Sequence, residues 1–365
     1  MKACSCPPAP QGCMVVGIAS AIILLLVTQG AWGCTAFLQE GLFAGKNYDW
    51  NLDYGLLLVN KKGIAKRAML LDPTDKAAEW VSKYGSVTFN QYGREMPNGG
   101  INEAGLVVET LMLPSTRNPA PDERPALTAW VQYQLDNSRT VGEVVASDKV
   151  VRISPAMPMP IHFFVCDREG NAAVVEFLDG KLVCHTGDKL PYKLITNDTC
   201  DSSLAYLAGH DGFGGTKPLQ RGSQSSLDRF VIAADRLKTF RPQDSKQSPI
   251  QYAFDTLAAV RQGSATKWSI VYDLKNLEIH YKTERCPQTR TVQLKGLDFS
   301  PQTPVRMVSI NTPHTGVLNP HFADYDADLN KWMIYYCVRH TPMLSLLPEP
   351  LLDLLARYPE TTASK

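Results

Sequence analysis

The sequence predicts an α+β fold of mainly antiparallel sheet covered by helices, on three observations. From Cys34 to about Met112 the chain is a series of short apolar or β-branched runs separated by Gly, Asn, Asp and Lys. Near Pro125 the apolar period becomes helical. Strands, helices and strands again then follow without β-α-β alternation, which argues against a parallel sheet.

Ahead of these elements stands a leader. Lys2 is the one early positive charge, an apolar run extends from Met14 to about Val27, and Ala31-Trp32-Gly33 fits small-x-small cleavage. The run is short for a membrane span. Residues 1–33 are therefore read as a secretory signal, and residues 34–365 as one domain with ample length for a sizeable core.

Thr35 to Leu38, Leu42 to Gly45, Leu56 to Asn60 and Ser86 to Asn90 read as strands. Gly99 to Leu111 reads as strand, turn and strand, with Asn102-Glu103-Ala104-Gly105 as the turn. Pro125 to Leu135 places Ala126, Trp130, Val131 and Leu135 on one helical face, and Thr140 with Glu143 forms a capping-box start. Ile161 to Cys166 and Ala172 to Leu178 flank a hairpin turn at residues 167–171, and Lys181 to His185 adds a strand. A short apolar run ends at Thr196-Asn197. Helices are expected over Ser226 to Phe240 and Pro249 to Val260, and a hairpin over Lys267 to Lys282. The tail offers helices at Trp332 to Val338 and Ser345 to Arg357.

Cleavage before Cys34 would put a thiol and a free α-amino group on one residue. An unperturbed thiol, pKa about 8.5, needs a base, and an α-amine of pKa about 7.7–8.0 is one that works near neutrality. Three readings of Cys34 compete: an N-terminal nucleophile, a lipidated cysteine, and half of a disulfide. Lipidation normally wants Leu where Ala31 stands.

Composition removes other classes. Lys+Arg at 37 against Asp+Glu at 36 leaves a net charge of +1, so no electrostatic case exists for a nucleic-acid partner. Nine cysteines fall at 4, 6, 13, 34, 166, 184, 200, 286 and 337, with no zinc spacing after the leader. One or two disulfides among the last five stay open; most read as buried small apolar residues. The chain carries no Gly-rich phosphate loop, HExxH, GxSxG or internal repeat, and no cofactor or metal is expected.

Six stretches, taken in order, resemble the choloylglycine hydrolase family of linear amide C–N hydrolases, which includes bile salt hydrolases and penicillin V acylases. They are Cys34-Thr35-Ala36-Phe37, Gly45-Lys46-Asn47-Tyr48-Asp49-Trp50, Asn102-Glu103-Ala104-Gly105-Leu106, Thr196-Asn197, Asp228-Arg229-Phe230 and Thr266 to Asp273. The resemblance runs from Cys34 to about Lys282, and nothing after about residue 300 matches. It implies an N-terminal-nucleophile hydrolase fold, an αββα sandwich of two antiparallel sheets between helical layers. It also implies an enzyme that cleaves a linear, non-peptide amide through a thioester.

In that resemblance Cys34 is the nucleophile with its own amine as base, and Asp49 is the carboxylate holding the amine. Asn197 and the main-chain amide at position 112 hold the oxyanion, and Arg229 is the cation near the thiolate. Taken alone, Asp49 reads as a turn residue, Asn197 as an Asx turn, and Arg229 as an ion-paired helix residue. Lys46 stands where these relatives carry Arg. Met112 stands where bile salt hydrolases have Asn and penicillin V acylases Tyr, so substrate recognition should differ.

An apolar, loop-formed acyl pocket is expected, with Met112, Leu113, Tyr92 and Phe163 as lining candidates and Lys46 as a further substrate-binding candidate. The expected partner is a small-molecule amide, bile-salt- or penicillin V-like. The protein is expected to be secreted or periplasmic, without a stable membrane span once the leader is removed, and homo-oligomerisation stays open. Two alternatives remain: a lipid-anchored envelope binding protein without activity, and a hydrolase of a cyclic amide or lactone such as an acyl homoserine lactone.

Overall fold

All seven positions of the strand Phe43–Asp49 are buried. A strand with no solvent face must be covered on both sides, and in the computed structural model of the chain it is. The structure describes residues 33–157, 159–243 and 246–364, so the expected leader lies outside the described residues except for Gly33.

One sheet has seven strands, in the order Leu194–Ile195, Thr35–Gln39, Phe43–Asp49, Thr266–Asp273, Glu278–Thr283, Arg290–Gln293 and Gly316–Val317. The other has nine: Lys181–Thr186, Ala172–Leu178, Ile161–Cys166, Val107–Met112, Pro97–Asn102, Ser86–Asn90, Leu56–Asn60, Arg306–Ser309 and Ala323–Asp324. Pairing within both is antiparallel apart from one short parallel edge pair, Arg290↔Gly316. Helices Ser226–Thr239 and Pro249–Ala259 cover the outside of the first sheet, and Trp130–Asn137 packs on the second. Between the sheets lies the main core, where Trp268 stacks on Tyr48 at 4.4 Å.

Local chemistry explains most boundaries. Phe37 pairs with Gly45 across the first two strands, and its ring lies where a Cβ on Gly45 would stand, 2.4 Å away. The 102–105 turn forms as expected: Asn102 Oδ1 accepts from the amides of Ala104 and Leu106, and Gly105 takes φ +89°. Thr140 and Glu143 make both bonds of the capping box. The Asp167 carboxylate closes its own hairpin turn and also accepts from the Val141 amide at that helix start.

Three expectations shift. Residues 126–127 are not helical; they form a short strand parallel to Arg152–Ile153, and the helix starts at Trp130. A helix at Cys200–Ala208, capped by Thr199, had no expectation at all. The tail helices run Ala327–Arg339 and Glu349–Arg357, the second delayed by Pro348. All six cysteines of the described residues are free, which removes the disulfide option among them. Among the described residues no helix is long and apolar enough to cross a membrane.

Candidate active site

Cys34 sits directly before the strand Thr35–Gln39, with 3% of its surface exposed. Its backbone N–H donates to Asn197 Oδ1 at 2.7 Å. Asn197 follows the edge strand Leu194–Ile195, which pairs with residues 36–37, so sheet register brings the two together. Arg229, in the first turns of Ser226–Thr239, ties the group from the helical side. Its Nη1 donates to the Cys34 carbonyl at 2.7 Å and to Thr35 Oγ1 at 2.8 Å, and its Nη2 donates to Asn197 Oδ1 at 2.9 Å. The helix start that places it is capped by Ser225, and the Asp228 carboxylate accepts from Ser223, Ser225 and Tyr206.

Asp49 ends the strand beside Cys34. Its Oδ1 accepts from Thr266 Oγ1, and its Oδ2 lies 4.0 Å from Arg229 Nη1 with no hydrogen-bond partner among the described residues. Burial pushes its carboxyl up to about 6, against the lowering pull of the Thr266 hydroxyl and Arg229. Burial likewise pushes the Cys34 thiol up, although Lys46 pulls it down. A buried thiol of this kind stays protonated at neutral pH unless a base takes its proton.

The structure therefore gathers Cys34, Asp49, Asn197 and Arg229 in one place. The lining candidates divide. An apolar cavity of about 200 Å³ opens at Cys34, with Tyr92, Met112 and Phe163 in its wall. Leu113 is not in that wall: it is buried elsewhere and its amide donates to the Pro160 carbonyl. Leu113 stands one residue past the end of the strand Val107–Met112, outside the stretch Thr110 to Met112 that lines the cavity.

Lys46 does not line the cavity either. It is buried between the sheets, where its Nζ donates to the Thr110 carbonyl and lies 3.6 Å from Glu109 Oε2; Tyr272 donates to the other oxygen of Glu109. Burial, only partly offset by Lys46 and the Tyr272 hydroxyl, pushes the Glu109 carboxyl up to about 7. A carboxyl raised on folding stabilises the fold below its unfolded value, and that stability is lost as pH rises through the folded one. Wild type is thus expected to lose ~3 kcal/mol from this group between about pH 4.5 and 8, and Glu109→Gln to lose much less. Urea unfolding of both proteins at pH 5 and pH 8 measures it; equal pH slopes would refute the assignment.

Residues with no single-sequence signal complete the site. His162 Nε2 contacts the Thr196 carbonyl at 2.9 Å and its Nδ1 lies 3.2 Å from Glu176, steadying the peptide that carries Asn197. Trp50 Nε1 donates to Tyr92 Oη at 2.7 Å, which bonds Thr341 Oγ1 at 2.8 Å. No cluster of His, Cys, Asp and Glu among the described residues could hold a metal ion.

Two facing antiparallel sheets with helices on both sides, and a cysteine just ahead of a strand of one of them, give the chain the fold of the N-terminal-nucleophile hydrolases. Within that class the chain belongs to the linear amide C–N hydrolases of the choloylglycine hydrolase family, whose model matches residues 34–306. It is similar to penicillin V acylase of Pectobacterium atrosepticum, at 29% identity over 61% of this chain and 70% of the relative. It is also similar to the solved penicillin V acylase of Agrobacterium tumefaciens, with TM-score 0.69 and 27% identity over 80% of this chain and 98% of that one. A mutant of the conjugated bile acid hydrolase of Clostridium perfringens shares the fold, with TM-score 0.61 and 18% identity over 78% of this chain and 98% of that one. The protein is thus an enzyme acting on carbon–nitrogen bonds other than peptide bonds, in linear amides.

Proposed function

We propose that the protein is an exported cysteine amidohydrolase that cleaves a small N-acyl amide with an apolar acyl group, through a thioester on Cys34. The observation that carries the reading is the apolar cavity opening onto Cys34. A second supports the base: Asp49 Oδ2 is buried without a hydrogen-bond donor, a state that a neighbouring ammonium would relieve. The leader, ending in Ala31-Trp32-Gly33, supports export and release of that amine.

The steps follow from these groups. The α-amine of Cys34 takes the thiol proton, and sulfur attacks the amide carbonyl carbon. Negative charge develops on the carbonyl oxygen, where Asn197 Nδ2 and the Met112 amide can donate. Asn197 Nδ2 now points at the Met112 carbonyl, 2.9 Å away, so the side chain already stands beside that position. The Met112 amide is turned the opposite way from that of Leu113, and pairing with Pro97–Asn102 ends earlier, at Gly99↔Glu109. The C–N bond breaks as the α-ammonium protonates the leaving amine. Water then attacks the thioester, releasing the acid and restoring the thiol.

The test is intact mass with N-terminal sequencing of the exported protein, before and after brief exposure to N-acyl amides that include penicillin V and conjugated bile acids, the kinds of compound named for the relatives. A chain beginning with unmodified Cys34 that gains one acyl mass is the expected result. A start at another residue, or a chain heavier by a diacylglyceryl group, would remove the base and overturn the reading.

A further inference from the structure

The cavity at Cys34 has a wall that the family match does not contain. Val338, Leu344, Leu347, Leu351 and Leu355 all line it, and all lie beyond residue 306, where that match ends. They come from the C-terminal helical hairpin: Val338 from Ala327–Arg339, Leu351 and Leu355 from Glu349–Arg357, and Leu344 and Leu347 from the connection between the two. The hairpin is held as a unit by Tyr335 Oη to Asp353 at 2.8 Å and by Arg339 to the Leu347 carbonyl at 2.8 Å. It is also tied to the site, through Thr341 to Tyr92 and through the His340 carbonyl to Asn51 at 2.7 Å.

Its position relative to the nucleophile is informative. Cys34 belongs to the apolar cluster between the sheets, whereas Val338 and Leu344 belong to a separate one; Tyr92 and Met159 pack against both. A group bonded to Cys34 reaches Val338, Leu344 and the hairpin leucines by extending along the cavity they share with Cys34. The five hairpin side chains are all aliphatic and offer no hydrogen bond. A hydroxylated ring system placed there would lose its water without replacement, whereas a polymethylene tail would lose nothing.

We propose that this hairpin selects acyl groups by length, taking the tail of an unbranched aliphatic N-acyl amide against Leu344, Leu347, Leu351 and Leu355. The proposal rests on the hydrolase reading above and names the acyl half of its substrate. Each methylene that reaches the hairpin should raise kcat/KM about three- to fourfold, until the wall is filled.

The test uses the full-length exported protein and a series of N-acyl amides from butyryl to dodecanoyl with one common amine. In wild type the dodecanoyl to butyryl ratio of kcat/KM should exceed one hundred. Leu351→Trp, which fills the wall, and Leu347→Asp, which charges it, should each cut that ratio at least tenfold. Calorimetric binding of the dodecanoyl amide to Cys34→Ala protein, with and without Leu351→Trp, gives a second readout that needs no turnover. A flat length profile, or a ratio unchanged in both variants, would overturn the hairpin's role while leaving the hydrolase reading intact. Absence of turnover alongside length-dependent binding that Leu351→Trp abolishes would do the reverse.

Discussion

Cys34→Ala is expected to lose all measurable hydrolysis of N-acyl amides and to remain folded. In the proposed mechanism the sulfur is the atom that bonds to the acyl carbon. His162, on the strand Ile161–Cys166, is engaged by the Thr196 carbonyl and Glu176 and takes no nucleophilic part in it. Truncating one small buried side chain costs on the order of 1 kcal/mol, a few degrees of melting temperature for a chain of this size. The measurement is product formation over hours against the melting curve of the same sample. Retained turnover in a folded Cys34→Ala protein would sink the mechanism.

The second large effect is expected at Asn197. Removing one oxyanion donor typically lowers kcat by 10²–10³, about 2.7–4 kcal/mol of barrier. Asn197→Ala should fall in that range with a smaller change in KM, because the bond strengthens only as charge develops on the oxygen. The side chain also accepts from Cys34 N and Arg229 Nη2, so a purely structural role has to be separated. A structural role would lower the melting temperature and the amount of folded protein together; a donor role lowers kcat per folded molecule. A kcat within tenfold of wild type would remove Asn197 from the chemistry.

How much of this was legible in the chain differs from residue to residue. The strands around Cys34 were, because each is a short apolar run closed by turn residues, and register then carries Asn197 to the nucleophile. The four catalytic candidates came through resemblance; alone, Asp49 or Arg229 is an ordinary turn or helix residue. Residues 126–127 misled because a helical period continues through them, while pairing with residues 152–153 decides their conformation. Leu113 failed because the lining stretch of its strand, Thr110 to Met112, ends one residue before it. Lys46 failed because its partner Glu109 lies on the opposite sheet, a contact that spans 64 positions between Lys46 and Thr110 alone. Least legible was the hairpin's part in the cavity. Its leucines follow helical spacing, which says that one face is buried but not against what.

The way the chain ends bears on how the molecule assembles. Residues 363–364 add a strand to Ile64–Arg67, and Tyr358 donates to the Arg67 carbonyl across 291 positions. Contacts of such long range form slowly, and on a chain made from its N-terminus they must wait for residues 358–364. The segment also packs on the nine-stranded sheet, where Met333 and Cys337 meet Leu56 and Leu58, whereas the strands next to Cys34 and the helix holding Arg229 pair among themselves. The residues proposed for the chemistry thus precede in the chain most of those proposed to select the substrate, so a chain cut short near residue 340 would retain the first four but lack most of the second surface.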